Sequence, residues 1–82
     1  MNAERLAEMA NDIANFFAAE PDRQLAIDGV CGHLKKFWEP RMRKQVIAYL
    51  HDQGGGGMSE LARAGVEKLA TLEQTAASER PG

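Results

Sequence analysis

Cys31, His33 and His51 are the only side chains in this sequence soft enough to favour a transition metal, and Cys31 with a histidine is also the only possible thiol–base pair. Their spacing speaks against both chemistries. Cys31 and His33 fall two apart on a predicted helix, and residues at i and i+2 do not face one another. A thiol is activated by a base within hydrogen-bond reach, and a closed zinc site takes about four ligands. The expectation is therefore a core cysteine and two surface histidines. The glycine run at 54–57 could cradle a phosphate, but no strand pattern precedes it and no Lys-Ser or Lys-Thr follows. The methionines are too scattered for an adaptable groove, and Met9 and Met42 read as core fillers. The sequence predicts a chain that is not an enzyme and holds no cofactor or metal of its own.

Chemistry of another kind gathers at residues 33–45, "HLKKFWEPRMRKQ". This stretch holds five of the ten basic residues, Lys35, Lys36, Arg41, Arg43 and Lys44, and one of the twelve acids, Glu39. It also holds Phe37, Met42 and the single Trp, Trp38, in a chain whose net charge is −2. Three readings stay open from the residues alone. The segment could dock a protein partner, since Trp, Phe and Arg are enriched at interface hot spots. It could bind nucleic acid as a short basic helix-turn-helix. Against that stand the acidic balance of the chain and Arg41 beside a Pro at a helix start, where the dipole favours anions. Or the aromatics could cap the chain's own core while the cations stay solvated.

The elements that position these residues are all helical. Residues 3–18 carry Leu6, Met9, Ile13, Phe16 and Phe17 at helical spacing, and Pro21 ends the segment. A second helix over 22–38 presents Ile27, Val30, Leu34 and Trp38, with Cys31 beside that face and Phe37 at its edge. Gly29 and Gly32 weaken it by roughly 1 kcal/mol each relative to Ala. They either admit a neighbouring helix or are simply tolerated. A third helix over 40–52 buries Met42, Val46, Tyr49 and Leu50, widened by Ile47. Glu-Pro occurs at 20–21 and at 39–40, each time before a helix, and Pro suits the first helical position. The short junction at Pro40 forces a tight corner between helices two and three, with Phe37 and Trp38 at its apex. The glycines at 54–57 read as a flexible break, after which Ser59 caps a weaker fourth helix carrying Leu61, Ala62, Val66, Leu69 and Leu72. Residues 73–82, "EQTAASERPG", read as a disordered tail. The expected architecture is one all-α domain of three to four helices over residues 1–72.

At 82 residues such a domain has a small core. Cores of this size supply only ~3–5 kcal/mol, so completion by a partner is expected. No apolar run approaches the ~18 residues that would cross a bilayer. Met1-Asn2-Ala3-Glu4-Arg5 lacks the basic and apolar regions of a secretory leader. With a single unpaired cysteine, the expected location is the reducing cytoplasm.

The stretches "MANDIANFFAAEP" (9–21), "GHLKKFWEPRMRKQVIAYL" (32–50) and "LARAGVEKL" (61–69) carry a resemblance. Together they resemble the delta subunit of NAD-dependent formate dehydrogenase, over about residues 5–70. Phe-Trp-x-Pro-Arg-Met-Arg is its most specific element. Where the family commonly has Asp before the Pro, this chain has Glu39, a poorer helix cap. The resemblance implies a cytoplasmic complex whose large alpha subunit holds a molybdenum or tungsten bis-guanine-dinucleotide cofactor and iron–sulfur clusters. Further chains of such a complex carry FMN and clusters and pass electrons to NAD. The implied role of this chain is assembly, stability or regulation without catalysis. The implied docking residues are Lys35, Lys36, Phe37, Trp38, Arg41, Met42, Arg43 and Lys44. The alternative is a small helical nucleic-acid-binding module using the same basic corner.

Overall fold

The structure, a computed structural model, describes residues 2–79, with side chains over 2–73. Four helices follow in order: α1 (Ala3–Phe17), α2 (Arg23–Phe37), α3 (Pro40–Gln53) and α4 (Glu60–Glu79). There is no strand among the described residues, and the fold is all-α. At residue 73 helix stands where the tail was expected to start: α4 runs to Glu79, and the Glu73 carboxylate pairs with Arg43. The end of that expected tail, 80–82, lies outside the described residues.

Local sequence accounts for each boundary. Asn2 caps α1, its side chain accepting from the Arg5 amide at 2.8 Å. Asp22 caps α2 by accepting from the amides of Gln24 (2.9 Å) and Leu25 (3.2 Å). The two Glu-Pro pairs therefore do different jobs. Pro40 is the first residue of α3, as expected, but Pro21 stands outside α2 and leaves the cap to Asp22. Glu39 makes no side-chain capping bond, in keeping with its poorer geometry for that position. Gly54 ends α3 in the left-handed conformation at φ 65°, and Gly55 and Gly57 also have positive φ. Any L side chain there would be strained, which explains the glycine run. Ser59 opens α4, its hydroxyl accepting from the Ala62 amide at 3.2 Å.

The glycine segment is not a slack break. Its backbone is tied to two helices. The Asn11 amide donates to the Gly57 carbonyl (2.8 Å) while its oxygen accepts from the Ser59 amide (2.7 Å). Tyr49 Oη donates to the Gly56 carbonyl at 2.6 Å. Gly55 is itself buried; a methyl group there would stand 2.9 Å from Leu50 and Arg63 side-chain atoms.

The most extensive contact is between α2 and α4, with α1 and α3 packed on this pair. Gly65 of α4 makes that closeness possible, since a methyl group at this position would lie 2.3 Å from Val30 Cγ1. Leu6, Val30, Leu34, Val46, Val66 and Leu69 form the fully buried centre. Each such side chain contributes on the order of 1.5–3 kcal/mol. The inner stripe of α1 differs from the sequence pattern. Leu6, Ala7, Ala10 and Ala14 face the core, Met9, Ile13 and Phe17 flank it, and Phe16 points to solvent. Small residues let α1 lie close to its neighbours, and the larger ones then fall to its edges. Ile27 and Leu72 are likewise less buried than their spacing predicted; Ala26 takes the inner position on α2.

Candidate functional site

Helix α2 ends at a corner whose two sides have separate roles. Trp38 leaves helical geometry at φ −88° and ψ 141°, and its indole turns inward to 6 % exposure. It is part of the chain's own core. Met42 packs against the same core from the first turns of α3. Arg43 reaches back to the end of α2, donating from Nη1 to the Trp38 carbonyl (2.7 Å) and to the Lys35 carbonyl (3.4 Å). Its Nε lies 2.5 Å from Glu73 Oε1 on α4, with both side chains largely covered. A cation against the last carbonyls of a helix satisfies both their orphan lone pairs and the dipole. Arg43 thus joins α2, α3 and α4. These bonds make Arg43 part of the fold although it lies off the apolar stripe.

The remaining predicted residues face outward. Lys35, Lys36, Phe37, Arg41 and Lys44 are exposed. None of these four cations makes an ion pair among the described residues, whereas Arg5, Arg23, Arg43 and Lys68 each have one. Lys36 Nζ lies 5.6 Å from the centre of the Phe37 ring, within cation–π range. Phe37 is 64 % exposed and leans on His33, ring centres 4.7 Å apart.

His33 connects Phe37 to a second aromatic group that sequence reasoning placed in the core. Asp12, Ile13, Phe16 and Phe17 of α1 and His33 of α2 line an open trough of about 460 Å³. Phe16 is 78 % exposed and meets Phe17 edge to face at 5.1 Å. Phe17 fills the notch at Gly29, where a methyl group would be 2.4 Å from its ring. Gly29 therefore admits a neighbour, as one of the two readings held, while Gly32 has nothing within 4 Å of the same position. Phe16 carried only a weak signal: it and Phe17 sit about 100° apart on the helix, a pairing that a wide apolar stripe can still accommodate, as Leu6 and Ala7 show. Asn11 had a signal too, a poor helix former at mid-helix whose side chain favours bonds to backbone.

Reactive groups do not converge elsewhere. Cys31 is buried, and that burial pushes its thiol above the ordinary range, which keeps it protonated and unreactive. His33 lies on the outer face instead. Among the described residues no polar or charged side chain is buried, and no three His, Cys, Asp or Glu residues are placed to hold a metal. No helix is long and apolar enough to cross a membrane, again among the described residues.

Fold and surface define a small all-α domain that carries an aromatic face beside a basic corner with four exposed cations, Lys35, Lys36, Arg41 and Lys44. The chain belongs to the NADH-dependent formate dehydrogenase delta subunit family, FdsD, whose model matches residues 5–66. That span runs from α1 through the glycine segment into the first turns of α4 and includes the outer face and the corner. Neither the curated proteins nor the solved structures give a match.

Proposed function

We propose that this chain is a non-catalytic accessory subunit of a cytoplasmic NADH-dependent formate dehydrogenase. It docks onto a larger cofactor-bearing subunit and supports assembly, stability or regulation. The family assignment supplies the complex. The observation that carries the docking role is the exposure of Phe16 and Phe37 on one side of a domain with so small a core. An aromatic side chain offers 150–250 Å² for burial, and these two leave most of theirs in water. The expected partner is the large alpha subunit, which by the family resemblance holds the molybdenum or tungsten cofactor. This chain contributes surface to the complex, and the redox groups belong to its partners.

The test is affinity purification of a tagged full-length copy from its host, with co-purified chains identified by mass. Recovery of the large formate dehydrogenase subunits is the expected result. The free chain should also melt at a higher temperature once the partner is added, because binding to the folded state adds stability by mass action. A tagged chain recovered alone overturns the reading. Binding to duplex DNA with no subunit recovered would favour the nucleic-acid module.

A further inference from the structure

We propose that the face formed by Ile13, Phe16, His33 and Phe37 receives one amphipathic helix of the larger subunit, with carboxylates at the end that meets Lys36. The proposal rests on the accessory-subunit reading and names the occupant of its docking surface.

A helix is the occupant that this geometry admits. The trough lies between α1 and α2, and side-chain ridges of a third helix pack into grooves of that kind. Pairing through a partner strand would need an exposed strand edge, and the described residues contain no strand. The walls are apolar and aromatic, so the inserting side chains must be apolar. They follow helical spacing, since Phe16 and Phe37 come from different helices and a partner ridge must span both.

Charge fixes the orientation. Lys36 stands over Phe37 in the last turn of α2 beside Lys35, and Arg41 and Lys44 follow in the first turns of α3. Asp12 lines the trough on the α1 side. Carboxylates on the partner therefore belong at the Lys36 end, away from Asp12. A second copy of this chain is the rival occupant. An isologous pairing would have to seat Phe16 and Phe37 of each copy in the same trough of the other, and a crosslink to this chain itself would reveal it. Nucleic acid fits poorly, because Asp12 lines the trough and the chain's net charge is −2, both unfavourable to phosphates.

The experiment places a photo-crosslinking residue at position 16, and separately at position 37, in the full chain within the complex. The captured peptide is then sequenced. A segment of one larger subunit is expected, with apolar residues at i, i+3 and i+4 and Asp or Glu at one end. A peptide without that pattern, a second copy of this chain, or no crosslink from either position in an intact complex overturns the proposal. Two double variants add an energetic readout. Phe16→Ser with Phe37→Ser should reduce recovery of the larger subunit roughly tenfold or more, as for a hot-spot pair. Lys36→Glu with Arg41→Glu should also weaken recovery, most at low salt. These two charge changes fall at a helix C-terminus and a helix N-terminus, so their dipole effects on the fold offset each other. Melting curves of the free variants should match wild type; where one does not, the crosslinks decide. If wild type recovers no subunit, the accessory reading fails. If wild type and both variants recover it equally, that reading stands and the occupied face is elsewhere.

Discussion

The inner and outer sides of α2 show what each of two similar residues is for. On the inner side Ala26, Val30, Leu34 and finally Trp38 lie in the core, and Val30 meets α4 at the gap left by Gly65. On the outer side His33 and Phe37 face water, with Phe16 of α1 beyond the trough. Phe37 and Trp38 are adjacent and equally apolar, yet one is solvent-facing and the other buried. Helical phase makes the difference. Trp38 stands four residues beyond Leu34 and continues the inner stripe, while Phe37 stands four beyond His33 and continues the outer one. The helix ends at Trp38, whose carbonyl Arg43 holds from α3. Aromatic content at a corner is thus no guide to role until each residue's phase on the helix is read.

The largest effect should come from the inner side. Trp38→Ala removes a buried aromatic and should cost about 3–5 kcal/mol, whereas Phe37→Ala should stay within about 0.5 kcal/mol. Denaturant unfolding of the two free variants measures this. Equal losses would remove the distinction between the two sides of α2. Arg43 is a poor probe of docking for the same reason, since its loss would loosen the corner as well as the surface.

Two glycines sharpen the comparison at a smaller scale. Gly65→Val would force two helices apart and should destabilise the chain by about 1–3 kcal/mol. Gly32→Ala has open space around it and should stabilise by about 0.4–1 kcal/mol, through helix propensity and a less flexible unfolded chain. Opposite signs in paired melting curves are the expected outcome. Equal signs would mean that the α2–α4 approach is looser than the Val30–Gly65 geometry requires.

Much of this was legible in the sequence because it depends on local chemistry. The four helices, the corner at Pro40 and the Ser59 cap follow from residues that act on their own backbone. The core stripe of α1 was legible only in part. Ranking by size selected Ile13 and Phe16, while close helix packing favours Ala7, Ala10 and Ala14. What the sequence could not show is long-range pairing. Arg43 meets Glu73 across 30 positions, and Asn11 meets Gly57 and Ser59 across 46 and 48. No periodicity encodes such partners. The outer face was half visible for a related reason. Its α2 part lies in the basic stretch, but its α1 part appears only when the trough brings Phe16 to His33.

The smallest expected effect lies at the edge of the inner side, where α2 and α4 are joined by charge. The Asp28 carboxylate accepts from Lys68 Nζ on α4 and from Gln24 Nε2 at 3.0 Å one turn earlier. These hydrogen bonds, Lys68 first, hold its carboxyl below the ordinary aspartate range. A carboxyl whose pKa is lowered by folding stabilises the fold only while ionised. Its contribution is complete above the unfolded pKa of about 4 and disappears as pH falls through the lower folded value. Asp28→Asn should therefore melt slightly below wild type at neutral pH, and the two curves should converge on acidification. Both side chains of the pair are partly exposed, so added salt should narrow the neutral-pH difference. This shift should be smaller than that of Gly65→Val, because solvent screens a half-exposed pair but does not relieve a steric overlap. Melting curves for both chains over a pH series at low and high salt provide the check. Curves that stay parallel into acid would show that the α2–α4 seam is held by packing alone.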